Sequence, residues 1–195
     1  MTKAKRTCRY KRGDVLIIID VINDLSFEKG DQLLPWALKL AKALSVFKKR
    51  AERNGMPVIY VNDHFGKWHS SFEKVYAHCT RASSLGKGVS RMLKPKRSDF
   101  FVLKPRHSGF HHTSLTLVLE DLMAKRLILT GIATNLCVLF TAHDAHMNRY
   151  PLIVLSDCCA AETDFDHNVA LTQLERFCGA TICRSTDFRF TKRSR

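Results

Sequence analysis

The chain has 195 residues, of which 45% are hydrophobic, and a formal net charge of +14. This length suits one α/β domain with a sizeable core, and the composition is that of a globular protein rather than a disordered or fibrous one. No apolar run is long enough to span a bilayer, and no apolar segment of secretory type follows the basic start, so we expect a cytoplasmic protein without a membrane partner.

Apolar runs alternate with helical segments along the chain. We predict strands at 15–20, 58–61, 100–103, 127–130, 152–155 and 180–182, and helices at 33–53, 114–123, 137–148 and 166–177. This alternation predicts a single-domain α/β protein with a doubly wound parallel sheet of about six strands, in a Rossmann-like three-layer α/β/α arrangement.

The predicted domain covers residues 13–187, between basic tails at 1–12 and 188–195. The stretch from 63 to 98 is the one long connection, and such connections in compact domains are often functional. We therefore expect a lid or a partly helical excursion there.

Three predicted strands lead into side chains that can carry chemistry. The first strand ends in Asp20, the third is followed by Lys104, and Cys137 lies in the first turn of the helix after the fourth. In open parallel sheets, ligands bind outside the carboxyl ends of the strands. If these strands are neighbours, the three side chains converge on one site.

The three residues suit a cysteine hydrolase. A helix start stabilises a thiolate, which makes Cys137 a candidate nucleophile. Asp20 would take the thiol proton and return it to the leaving group, Lys104 would hold the carboxylate, and backbone N–H groups of Ala133 and Cys137 would bind the oxyanion. Position alone also fits a small buried cysteine and a solvated lysine at a strand end.

Aromatic side chains in loops near these strand ends could form an apolar wall for a small organic substrate. The candidates are Phe27, Trp68, Phe72 and Phe110, with Thr134 as a further substrate-binding residue. Ordinary packing beneath a long loop explains each aromatic residue equally well.

The segments 20–25, 104–110 and 131–138 together resemble the isochorismatase-like cysteine hydrolases, which include nicotinamidases, N-carbamoylsarcosine amidases, ureidoacrylate amidohydrolases and isochorismatase itself. The resemblance covers roughly residues 13–187. It implies that Asp20, Lys104 and Cys137 are the catalytic triad and that the peptide bond between Ile132 and Ala133 is cis. It also implies a homo-oligomer, either a dimer or a tetramer.

The chain departs from the nicotinamidases at their metal site, which those enzymes build from an Asp-x-His and a later His. Asp63 and His78 match two of these ligands, but Phe65 stands at the position of the first histidine. His64 and His69 have the wrong spacing for a simple replacement. Because one ligand of three is missing, we expect no metal and no other cofactor.

The seven cysteines contain no Cys-x-x-Cys pair. In an α/β chain of this size, their spacing indicates neither a disulfide scaffold nor a structural zinc site. We expect reduced thiols, as is usual in the cytoplasm.

The basic residues are concentrated at 3–12, 48–50, 94–97 and 184–195. No nucleic-acid-binding motif accompanies them, so we interpret them mainly as solubilising tails and surfaces and expect no specific nucleic-acid partner. A preference for an anionic small-molecule substrate stays open.

Two classes of function fit these observations. The first is an amidohydrolase that cleaves a C–N bond of a small amide, ureide or carbamoyl compound through a Cys137 acyl-enzyme, or a variant that hydrolyses a vinyl ether as isochorismatase does, with Asp20 as the acid. The second is a non-catalytic binding module with a basic surface. The set of three residues favours an enzyme, and the cysteine favours the amidase side. A dinucleotide-binding role is excluded because Asp20 stands where the glycine-rich turn would begin.

Overall fold

The computed structural model describes residues 8–67 and 70–190. Its six strands form one parallel sheet with the order β3-β2-β1-β4-β5-β6. The strands are β1 (Asp14–Ile19), β2 (Val58–Asp63), β3 (Phe100–Lys104), β4 (Arg126–Ile132), β5 (Leu152–Ala160) and β6 (Thr181–Cys183). The predicted fold class is therefore confirmed.

Helices connect the strands on both sides of the sheet. They are α1 (Gly30–Arg53), α2 (Phe72–Thr80), α3 (Lys87–Met92), α4 (Leu115–Asp121), α5 (Leu139–Met147) and α6 (Asp164–Phe177). A π-helical turn at Thr134–Val138, called the cysteine turn below, precedes α5. No helix within residues 8–67 and 70–190 is long and apolar enough to cross a membrane.

β1 is buried along its whole length, as is typical of a central parallel strand. The core therefore lies on both faces of the sheet. Alternate residues of a strand point to opposite faces. Leu16 and Ile18 join the core beneath α1, which contributes Leu44 and Phe47. The other face packs against α4, α5 and α6.

The chain reverses its direction across the sheet between β1 and β4, which are neighbours. This is the position where open α/β sheets form ligand crevices. Gly131 in β4 has a φ of 126°, and a Cβ atom there would overlap the carbonyl oxygen of Ile19. The peptide bond from Ile132 to Ala133 is cis, at the bond where the family resemblance placed one.

The element boundaries differ from the predicted ones in two places near this crevice. The cysteine turn begins at Thr134, so a π-helical turn occupies the start of the predicted helix at 137–148. β5 continues to Ala160, because after a register shift it pairs again with Gly131 and Ile132 of β4. The long connection at 63–98 contains α2 and α3, as a partly helical excursion should.

Both predicted tails are partly folded into the domain. Cys8 and Cys183 form a disulfide, so the prediction of reduced thiols is wrong for this pair. Phe188 and Phe190 pack against Phe47 of α1, with ring centroids 5.2 and 5.6 Å away. Residues 8–12 and 188–190 are thus part of the folded structure, since their apolar and cysteine side chains anchor them. The free cysteines among the described residues are Cys79, Cys137, Cys158, Cys159 and Cys178.

Candidate active site

Asp20, Lys104 and Cys137 come together at the carboxyl edge of the sheet. The Lys104 Nζ atom lies 2.8 Å from Asp20 Oδ2 and 3.4 Å from Cys137 Sγ, and all three residues are buried. The predicted condition that their strands be neighbours is not met, because β2 separates β1 from β3. The long lysine side chain reaches across β2 instead.

Backbone groups hold the acid and the lysine in place. Asp20 has a φ of 50°, in a region that costs energy for residues other than glycine. Its Oδ1 atom accepts a hydrogen bond of 2.7 Å from the backbone N–H of Asp63. The ammonium of Lys104 also donates to the carbonyl oxygen of Arg106 at 3.0 Å. These contacts fix both side chains beside the thiol before any substrate binds.

Burial dominates the ionisation of this group. It raises the pKa of the Cys137 thiol, the Asp20 carboxylate raises that pKa further, and Lys104 only partly opposes the rise. The resting cysteine is therefore a thiol, because burial outweighs the stabilisation of a thiolate expected from the helix start. A base is needed to activate this thiol.

The same burial acts on the two neighbours of the thiol. It raises the pKa of Asp20, although Lys104 and hydrogen bonds from Cys137 and Asp63 oppose the rise. For Lys104, burial lowers the pKa, but Asp20 and other nearby acidic groups outweigh it and the net shift is upward. The lysine consequently stays a cation in its apolar surroundings, with Asp20 as its counterion.

A cavity of about 460 Å³ opens over Asp20 and Cys137, a size suited to a small organic molecule. Its polar lining consists of Asn23, Glu28, Asp63, His107 and Glu162, and its apolar lining of Phe27, Leu33, Phe65, Ile132 and Leu136. Ala133 and Cys137 also line the cavity, so their N–H groups stay the predicted oxyanion donors. A larger cavity of about 640 Å³ lies between α1, β5 and α6, but Asp20, Lys104 and Cys137 do not line it.

The predicted aromatic wall is only partly correct. Phe27 lies in the cavity lining. Phe72 instead stacks on Phe101 with ring centroids 4.1 Å apart, and Phe110 packs beside Tyr150. These two rings cover the core rather than a substrate. Trp68 and His69 lie outside the described residues. Several lining residues were not predicted from the sequence. Of these, Leu136 could have been found from its place beside Cys137 in the same turn.

Thr134 does not line the cavity, contrary to its predicted role in substrate binding. Its side chain is buried, and its Oγ1 atom lies 2.8 Å from Nδ1 of His167 on α6. Burial lowers the pKa of His167, with Asp164 opposing the shift, so the imidazole is neutral near pH 7. The pair ties the start of the cysteine turn to α6.

We expect Thr134→Val to lower the free energy of unfolding by about 1–3 kcal/mol, because it leaves a half-buried imidazole nitrogen without its hydrogen bond. Denaturant unfolding followed by circular dichroism measures this loss. Thr172→Val is the matched control, since Thr172 is exposed on α6 and bonds only to the carbonyl oxygen of Asn168. Equal stability of the two variants would show that the Thr134–His167 contact contributes nothing.

The residues at the nicotinamidase metal position do not fit a metal. Asp63 accepts the backbone N–H of Phe65, and the Phe65 ring lies next to His78. His78 Nε2 is itself 2.7 Å from Asp24 Oδ2. Within the described parts of the chain, no group of three His, Cys, Asp or Glu residues could hold a metal ion.

Comparisons with known proteins give a consistent set of relatives. Residues 14–187 match the model of the isochorismatase domain. The chain is 37% identical to the uncharacterized isochorismatase family protein YaaI of Bacillus subtilis strain 168 over 172 residues, which are 88% of this chain and 94% of that protein. It is 41% identical to the ureidoacrylate amidohydrolase RutB of Yersinia enterocolitica over 88 residues, which cover 45% of this chain and 38% of that enzyme.

A solved structure is similar over almost the whole fold. The N-carbamoylsarcosine amidase of Thermoplasma acidophilum superimposes with a TM-score of 0.67 at 28% sequence identity. The superposition covers 88% of this chain and 96% of that enzyme. The similarity therefore extends over most of the fold.

Proposed function

We propose that this chain, which belongs to the isochorismatase family, is a hydrolase of carbon–nitrogen bonds other than peptide bonds. In this proposal it cleaves a small amide, ureide or carbamoyl compound through an acyl-enzyme on Cys137. The observation that carries this proposal is the contact of one buried lysine with both a carboxylate and a thiol, 2.8 and 3.4 Å away, below a cavity of small-molecule size. In this proposal Asp20, Lys104 and Cys137 are the catalytic residues.

The first half of the reaction forms the acyl-enzyme. Asp20 accepts the thiol proton while the Cys137 sulfur attacks the carbonyl carbon. The N–H groups of Ala133 and Cys137 stabilise the oxyanion, and Lys104 keeps Asp20 next to the sulfur. Asp20 then gives the proton to the departing nitrogen as the C–N bond breaks, which leaves a thioester on the enzyme.

The second half releases the acid. A water molecule gives a proton to Asp20 and attacks the thioester carbon. The C–S bond of the tetrahedral intermediate breaks, the proton returns from Asp20 to sulfur, and the thiol is restored. The products are an amine or ammonia and a carboxylic or carbamic acid.

Detection of the acyl-enzyme tests the proposal. A panel of primary amides, ureides and carbamoyl compounds is incubated with the enzyme, and ammonia or amine release is measured. The reaction is quenched in acid, and intact-protein and peptide mass spectrometry locate any adduct. An acyl group on Cys137 with a substrate that turns over supports the proposal.

Turnover of a vinyl ether without an adduct would instead favour the isochorismatase-type reaction, for which the raised pKa of Asp20 would suit an acid. A protein that turns over neither class and forms no adduct would favour a binding module.

Treatment with a chelator is expected to leave the rate unchanged.

The pH dependence of kcat/KM provides a second prediction. Asp20 must be ionised to accept the thiol proton, and burial raises its pKa above the ordinary value of 3.8. Activity should therefore fall as the pH decreases through this raised pKa, so the acid limb lies at a higher pH than for an ordinary carboxylate. Circular dichroism at each pH shows whether the protein stays folded. An acid limb at or below pH 3.8 in folded enzyme would contradict the assignment of Asp20 as the base.

A further inference from the structure

The exposed positive charge of the described residues lies outside the lining of the cavity. Exposed basic residues occupy the segments that lead into the strands, at the edge of the sheet opposite the cavity. They include Arg12, Arg53, Lys94, Arg97, Lys125 and Arg149. The carboxyl edge, where the cavity opens, also carries exposed basic residues, among them Lys29, Lys67 and Arg106, but none of these lines the cavity. The net charge of +14 therefore does not describe the cavity lining that a substrate meets.

The cavity itself is acidic. Glu28, Asp63 and Glu162 line it together with Asp20. The charge of Asp20 is balanced by Lys104 at 2.8 Å, whereas Asp63 Oδ2 lies at 3.9 Å from the same ammonium. Within residues 8–67 and 70–190, Glu162 accepts one long hydrogen bond of 3.4 Å, from the neutral amide of Asn135.

No Lys or Arg from residues 8–67 and 70–190 lines this cavity, and His107 is its one basic lining residue. A substrate carboxylate would thus meet three acidic side chains, and the nearby ammonium of Lys104 is already paired with Asp20. A positively charged group would meet complementary charges in a partly desolvated site, where attraction is stronger than in bulk water.

We propose that the substrate is an amide or ureide whose remote end carries a positive charge, such as a protonated amine, and that substrates with a carboxylate at that end are rejected. This rests on the proposed amidohydrolase function and assigns Glu28 and Glu162 as specificity-determining residues. The net charge left open a preference for an anionic substrate, and this proposal assigns the opposite preference. Two similar enzymes are named for ureidoacrylate and N-carbamoylsarcosine, which are carboxylates, so the selectivity of this chain differs from theirs.

The preference of the cavity for positive charge can be tested without a substrate, by modifying Cys137 with two methanethiosulfonate reagents of similar size. One carries a trimethylammonium group and the other a sulfonate. Each forms a mixed disulfide with the thiol and releases methanesulfinate. Rates at Cys137 are measured by peptide mass spectrometry and divided by the rates with a small free thiol. We expect the cationic reagent to be favoured at least tenfold after this correction.

The variant with Glu28→Gln and Glu162→Gln should reduce this preference at least threefold, and added salt should reduce it further. The matched control is Glu73→Gln with Glu120→Gln, two exposed acidic residues outside the cavity, which should leave the ratio unchanged. An equal or inverted ratio in the wild type, or a ratio that the cavity variant does not alter, would overturn the proposal.

Hydrolysis of three matched amides then distinguishes the failure of this inference from the failure of the proposed function. They are 4-aminobutanamide, pentanamide and succinamate, which carry a positive, no and a negative charge at the remote end. The expected order of kcat/KM follows that sequence. Fastest hydrolysis of succinamate would refute the charge selectivity while supporting the amidohydrolase. Cation-selective labelling of Cys137 in a protein that hydrolyses no amide would refute the amidohydrolase and retain the acidic cavity.

Discussion

Cys137→Ala is expected to abolish amide hydrolysis, with a loss of about 10⁴-fold or more in kcat/KM. The sulfur atom is the group that Lys104 and Asp20 both contact, and alanine leaves those two residues without a nucleophile to activate. Activity is measured as amine release from the best amide of the panel. The loss should appear in kcat rather than in KM, because the thiol forms its new bond only during the reaction.

A second cysteine variant controls for general effects of removing a thiol. Cys79 is a buried free cysteine of α2 outside the cavity, and Cys79→Ala should keep normal kcat. Both variants must show unchanged circular dichroism before rates are compared. Retained turnover in folded Cys137→Ala would eliminate the covalent mechanism and move the reaction to Asp20 acting without a nucleophile.

The convergence of the three proposed catalytic residues could be predicted because it follows from topology. Asp20 and Lys104 each end or directly follow an apolar run, and parallel strands place such ends at one edge of the sheet. The prediction required that the three strands be neighbours, but the site forms without this condition. β2 lies between β1 and β3, and the length of the lysine side chain compensates for this separation.

Much of the cavity lining could not be predicted because it depends on how loops pack. Phe72 and Phe110 stand in loop-rich segments close to the site in sequence, but they pack on Phe101 and Tyr150. Glu28 and Glu162 come from loops at distant positions in the chain and meet only in the folded cavity. No local pattern in the sequence indicates such a contact.

At the chain ends and at the Cys137 thiol, burial outweighs the local signal in the sequence. The basic composition of 188–195 indicated a solvated tail, yet Phe188 is fully buried and Phe190 packs beside it. A helix start suggested a thiolate at Cys137, but desolvation outweighs that effect and raises the thiol pKa. Burial depends on tertiary packing, which the charge pattern of a segment does not report.

Asp20→Asn is expected to lower kcat/KM by about 10²–10⁴-fold, because an amide of the same size cannot accept the thiol proton. It should also destabilise the fold by about 3–5 kcal/mol, since Lys104 is left buried without its counterion. Denaturant unfolding gives that loss, and the rates must be measured at a temperature where the variant is folded.

The same variant should contain more Cys137 thiolate although its activity is lower. Asp20 raises the pKa of Cys137 and Lys104 lowers it, so removing the carboxylate while keeping the ammonium should lower the thiol pKa. The pH profile of iodoacetamide labelling at Cys137, read by peptide mass spectrometry, measures this shift. A mutant with more thiolate and less hydrolysis would show that Asp20 contributes as a proton carrier, because a site that needed only a thiolate would become faster. If the thiol pKa rises and hydrolysis is unchanged, neither the electrostatics nor the proposed role of Asp20 is correct.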